Sequence, residues 1–249
     1  MIIQKRDLEV FRIVSELGFA TSNTIRRIVS PETKQKTFNL RLSTLKKEWF
    51  LREISWDNRI RNQHSVYSMN VSKNNLLRIK TEIWIRFDPV LYNPGYQLYL
   101  HRIYLWNLFA SFLSKFREKV PDFSLSDCRI LWTKTVQKEM KYLQLHPELG
   151  IDYVDDIMIP DLTFIYKKNA FLFELENINS YGQFQQKITG YEEMLLKKDI
   201  SNFYTTFQGK NIQLLVATRG VKMQRYKEIL SWYSWKRNLI QIENILKLK

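Results

Sequence analysis

The sequence predicts an α+β chain in two parts, a basic N-terminal region of three short helices and a strand pair followed by an α/β region built on a mixed sheet. Three observations carry this expectation. Apolar residues recur at helical spacing in three successive segments between Asp7 and Trp49. Two strand-like runs, LREIS and HSVYSMN, follow directly. From Asp127 onward, β-branched and aromatic runs alternate with helical patterns, as in a layered α/β unit.

In the first helix Leu8, Phe11, Ile13, Val14 and Leu17 lie near helical spacing, and Gly18 stands where a helix would stop. Thr21, Ser22 and Asn23 offer caps for a second helix, TIRRIV, which Ser30-Pro31 closes. Thr33 is expected to cap the third, KQKTFNLRLSTLKKEWF, whose Phe38, Leu42, Leu45 and Trp49 form one buried stripe. Lys34, Lys36, Asn39 and Ser43 fall off that stripe and face outward. Two short helices before a third with basic and amide residues on its exposed N-terminal face match a helix-turn-helix, in which that face enters the major groove. The polar loop WDNRIRNQ between the two strands, with Arg59 and Arg61, makes a wing. Lys34, Lys36, Arg59 and Arg61 are expected to contact phosphate, and Gln35 and Asn39 to read base edges.

Charge agrees with that partner. The chain has 39 Lys and Arg against 25 Asp and Glu, a formal net charge of +14, and thirteen of the basic residues lie with seven acidic ones between Met1 and Asn70. Double-stranded DNA is the expected polyanion, because no basic amphipathic segment stands apart to suit a membrane surface. Cys128 is the only cysteine, which excludes an internal disulfide and a cysteine zinc cluster. His64, His101 and His146 have no ligand spacing. No signal-peptide core and no run of about 18 apolar residues appears, so a cytoplasmic protein without a membrane partner is expected. A homodimer suits a protein of this type, since two half-sites are often bound together.

Residues 1–80 form the expected DNA-binding domain, 81–95 a connector with its boundary near Pro94, and 96–249 the second domain. That domain opens with a helix from about Tyr96 to Lys115, its apolar side including His101, Leu105, Leu108, Phe112 and Phe116. A strand at DCRILWT and a short segment TVQKEMKYL precede the most informative stretch. IMIPDLTFIY and AFLFELEN flank Lys167-Lys168-Asn169, the pattern of a tight hairpin. Glu174 and Glu176 are two apart and share one side of the sheet, and hairpin pairing brings Asp161 beside them. Carboxylates in a strand cost free energy unless something pairs with them, and a divalent cation with oxygen ligands is the usual reason to gather them. A helix from Gln183 to Lys198 follows, with Phe184, Ile188, Tyr191 and Leu195 on one face and Lys187 able to lean toward the hairpin. NIQLLVATR, VKMQRYKEILSWYSW and LIQIEN read as strand, helix and last strand.

That order, with Pro160-Asp161 on one strand and Glu174 on the next, resembles the PD-(D/E)xK nuclease-like fold. The resemblance implies an Asp and a Glu that hold Mg²⁺, here Asp161 and Glu174, and a lysine two residues after the Glu that helps activate water. Glu176 occupies that lysine position, and Lys187 on the following helix is the substitute. The wider pattern of NLRLSTLKKEWFLRE, VYSMNVSKNNLL, LHRIYLWNLF, IPDLTFIY, FLFELEN and QQKITGYEEML resembles the replication-relaxation family of plasmids, phages and integrative elements. The implied function is a DNA-binding protein of a mobile element, acting in plasmid or phage replication, transfer or their regulation alongside replication or transfer proteins. Its nuclease-like domain would lack full competence. The alternative is a Mg²⁺-dependent DNA endonuclease or nickase with Asp161, Glu174, Glu176 and Lys187 as its catalytic set.

Overall fold

The computed structural model describes residues 2–54, 65–70, 72, 96–132, 158–176, 181–192, 207, 209–218, 224 and 239–244. The chain is α+β and divides into two compact units, Met1–Phe123 and Ser124–Lys249. The expected boundary near Pro94, the wing residues Arg59 and Arg61, the segment 135–143 and the helix expected at 221–235, save Gln224, lie outside the described residues.

The first unit runs α1 (Lys5–Leu17), β1 (Phe19–Thr21), α2 (Ser22–Val29), α3 (Gln35–Lys47), β2 (Leu51–Ile54), β3 (Val66–Met69) and α4 (Tyr96–Lys119). Gly18 ends α1 with a φ of 72°, which favours a residue lacking a Cβ. Thr21 caps α2, its hydroxyl accepting from the Thr24 N–H at 3.1 Å. β1 is too short to show a sequence period, and it pairs antiparallel with β3 in a sheet of order β1-β3-β2. Val10, Phe11, Val14, Ile25, Ile28, Phe38, Leu42 and Leu45 are buried together with Phe50. The Phe11 and Phe50 rings lie 5.1 Å apart.

Two expectations for α3 are corrected. Its N-cap is Lys34, without a side-chain cap bond, because the Thr33 hydroxyl lies 2.9 Å from that of Ser30 instead. Trp49 is not part of the stripe. It is 70% exposed with a φ of 65°, because the helix ends at Lys47 and the chain turns left-handed. Phe50 takes the vacated place in the core.

α4 groups with this unit and is tied to α2. Thr24 donates to Asn107 Oδ1 at 2.7 Å and Arg27 to Ser111 at 2.7 Å, while Arg117 donates to the carbonyls of Arg27 and Ile28. Its buried face is Leu105, Trp106, Leu108, Phe109, Ala110 and Leu113, whereas Phe112 and Phe116 are only half-buried. Trp106, Phe109 and Leu113 follow the i, i+3, i+7 rule about one residue round the helix from the expected side.

The second unit carries β4 (Cys128–Trp132), β5 (Leu162–Tyr166), β6 (Asn169–Glu176), α5 (Tyr181–Glu192), β7 (Asn211–Thr218) and β8 (Leu239–Asn244). The sheet is mixed, with order β4-β5-β6-β7-β8. β4, β5 and β6 pair antiparallel, and β6, β7 and β8 pair parallel. β5 is buried at every position and β6 at all but its first, so both faces are covered, and a near-continuous apolar run is what such strands need. α5 buries Phe184, Ile188 and Tyr191. Leu195 lies outside the described residues.

Candidate functional site

The β5–β6 hairpin closes through a two-residue turn in which Tyr166 pairs with Asn169 and Lys167 has a φ of 52°. The register then sets Leu162 opposite Phe173, and one step further sets Asp161 at the level of Glu174. Asp161 Oδ2 accepts the Leu175 N–H at 2.9 Å, which ties the start of β5 to the end of β6. Glu174 and Glu176 are 1% and 0% exposed. Period-two alternation puts both on one side of β6, and α5 supplies their partners.

Lys187 donates from Nζ to Glu174 Oε2 and to Glu176 Oε1, at 2.6 Å in each case. The Tyr191 hydroxyl, one helical turn further along α5, meets Glu174 Oε1. Both oxygens of Glu174 are therefore engaged by protein groups. Burial pushes the Glu174 carboxyl up to about 8, and the neighbouring charge of Asp161 adds to that, against the opposing pull of Lys187 and Tyr191. Lys187 would be lowered by its burial, but the charges of Glu174, Glu176 and Asp161 outweigh this and hold its ammonium above the ordinary lysine range. Tyr191 is raised by burial and then by Glu174. Three carboxyls share one ammonium, so a retained proton on Glu174 is the natural way to limit buried charge.

The structure thus brings together Asp161, Glu174, Glu176 and Lys187. A divalent cation does not fit the arrangement as it stands, because Lys187 Nζ fills the place between Glu174 and Glu176 where positive charge is needed. Among the described residues no set of three His, Cys, Asp or Glu side chains is placed to hold a metal ion. Tyr191 was legible only as a member of the apolar stripe; the signal for its second role is its position four residues after Lys187.

The second group of predicted residues lies at the start of α3. Lys34, Lys36 and Asn39 are exposed and Gln35 is half-buried. Gln35 is already engaged. Its Oε1 accepts from Arg26 Nε at 2.9 Å, and its Nε2 donates to Asn39 Oδ1 at 2.7 Å and faces Ser22 Oγ at 3.4 Å. Arg26, which no sequence pattern singled out, also donates to the carbonyls of Pro31 at 2.8 Å and Thr33 at 3.2 Å, and so pins the turn between α2 and α3.

No family model, curated protein or solved structure matches the chain. No helix among the described residues is long and apolar enough to cross a membrane.

Proposed function

We propose that the chain is a double-stranded DNA-binding protein of a mobile genetic element. It acts in replication, transfer or their regulation, and reads DNA through a winged helix-turn-helix formed by its N-terminal elements. The observation that carries DNA reading is the start of α3. Lys34, Lys36 and Asn39 are exposed there, while Phe38, Leu42 and Leu45 hold the opposite side in the core. Such a helix end can enter a major groove without disturbing its own packing. The net charge of +14 supplies the attraction to phosphate. The mobile-element role rests on the sequence resemblance, and a homodimer on two half-sites belongs to the same reading.

Mobility shifts of duplex DNA across a salt series test it. Lys36→Ala should weaken binding and lower the slope of log affinity against log salt by about one. A variant that binds as tightly as the wild type at every salt concentration would remove α3 as the reading face.

In this reading the C-terminal unit is a PD-(D/E)xK-like fold that does not cleave, supported by the ammonium of Lys187 that already bonds both Glu174 and Glu176. A second reading, a Mg²⁺-dependent endonuclease, is favoured by one observation: Asp161, Glu174 and Lys187 are gathered at one end of the β5–β6 hairpin. Asp161 and Glu174 would then hold the cation, which Lys187 must first leave room for. Supercoiled plasmid incubated with Mg²⁺, Mn²⁺ or EDTA separates the two. Nicking that needs metal and disappears in Asp161→Asn selects the nuclease, whereas shifted but uncut DNA in every lane selects the non-cleaving protein.

A further inference from the structure

We propose that Leu40 reads the C5-methyl group of a thymine in the major groove, so that one position of each bound half-site is selected for thymine by apolar contact. The inference rests on the DNA-binding reading above and names a base contact which that reading leaves unassigned.

α3 holds four apolar residues, Phe38, Leu40, Leu42 and Leu45. Three of them are buried, whereas Leu40 is 64% exposed. At about 100° per residue, Leu40 stands almost directly opposite the middle of the buried stripe. Its neighbours three and four positions away on the helix surface are Lys36, Thr37, Ser43 and Thr44, and Lys47 follows two turns on. The Thr44 hydroxyl donates to the Leu40 carbonyl at 3.0 Å, so it is already satisfied within the helix. A leucine scattered on a protein surface is ordinary. This one occupies the centre of the outward face of the proposed reading helix, where every neighbour is polar or basic.

The charges around it indicate what covers it. Arg41 and Lys46, on the flanks of α3, are engaged within their own unit, Arg41 by Asp7 and Lys46 by Glu53 at 2.5 Å. Lys36 and Lys47, which frame Leu40 on the outward face, are exposed and enter no ion pair among the described residues. A second copy of a chain with a net charge of +14 would bring further cations toward them. Duplex DNA instead sets phosphates along both lips of the major groove and base edges between the lips. Leu40 lies about 6 Å along the axis from Lys36, within the helix end that a groove admits. An aliphatic side chain there gains nothing from a phosphate or from a donor or acceptor edge. The apolar group that the floor of the groove offers is the methyl of thymine.

The test begins with selection of the preferred site from randomised duplexes by the wild type. Each thymine of that site is then replaced singly by deoxyuridine, which lacks only the methyl group, and affinities are measured for the wild type and Leu40→Ala. At one position of each half-site the replacement should weaken the wild type about fourfold, as expected for one buried methyl, and leave Leu40→Ala unaffected. Leu40→Ala should melt with the wild type, because the side chain it shortens lies outside the core. A site with no methyl-sensitive thymine, or a replacement that weakens both proteins equally, would overturn the contact while leaving DNA binding intact. A Leu40→Ala protein that sediments as a smaller species, with no methyl effect in the wild type, would overturn it in favour of a contact between copies. Recovery of no duplex by the wild type at any salt concentration would remove both the contact and the reading on which it rests.

Discussion

Lys187 holds two buried carboxylates through one ammonium, and Tyr191 holds the remaining oxygen of the first. Removing the cation and leaving the acids is a severe change, because a buried charge without its partner is left uncompensated. Lys187→Met should cost about 3–5 kcal/mol in urea denaturation, and Tyr191→Phe about 1–2 kcal/mol. Glu174 also makes stability depend on pH. Its carboxyl titrates near 4.5 in the unfolded chain and at about 8 in the folded one. Between those values the folded state keeps a proton that the unfolded state has lost, so its contribution is full below about 4.5 and disappears as pH rises through about 8. Denaturation midpoints should fall over that interval in the wild type, and Glu174→Gln should flatten the fall. The acids and Lys187 were visible in the sequence because charged residues interrupt apolar strands and a helix face follows. Tyr191 was not, since an aromatic at helical spacing says nothing of where its hydroxyl ends.

At the scale of elements, the end of α3 shows how a regular pattern misleads by one residue. Spacings of four, three and four carry the stripe to Trp49, but the helix closes first. The Phe50 N–H reaches the Leu45 carbonyl at 3.0 Å and the Trp49 N–H the Lys46 carbonyl at 3.0 Å, the paired bonds of a Schellman stop. That stop places its left-handed residue at Trp49, where glycine is the usual occupant. Trp49→Gly should therefore raise stability by about 0.5–1 kcal/mol, read from the thermal midpoint; a loss would mean that the exposed indole contributes more than the backbone strain costs. The same limit on periodicity explains β1, whose three residues show no alternation, and the buried face of α4, rotated from expectation. Strands β6, β7 and β8 were legible almost to the residue, because each is a short apolar run between polar residues, whereas β5 opens only at Leu162, inside the run IMIPDLTFIY, and leaves Asp161 just ahead of the strand expected to carry it. Their lateral order and the switch from antiparallel to parallel pairing were not, since those depend on contacts distant in sequence.

Over the whole molecule, α4 decides where the first unit ends. Its bonds to Thr24, Arg27 and Ile28 cover one side of α2, so a fragment ending at Phe123 should melt cooperatively by circular dichroism, whereas one ending at Asn93 should lose that cooperativity and a large part of its stability. Equal melting of the two would make α4 an appendage. The α+β composition and two-part plan were legible in the chain's shift from helical spacing to alternating strands and helices; the membership of α4 was not, because an amphipathic helix does not say which neighbour covers it. The mixed sheet has a further consequence for the route by which the second unit assembles. β6 meets β5 across a two-residue turn but meets β7 only after a helical crossover, and β7 meets β8 near the end of the chain. Loop closure therefore orders the events, with the hairpin zipping early and the parallel half forming late. A chain emerging from the ribosome would gather Asp161, Glu174 and Glu176 before Lys187 is available, and these acids would wait in water until α5 arrives. The slow step of refolding should then be the docking of β7 and β8, with the central strand edge open to intermolecular pairing until they do.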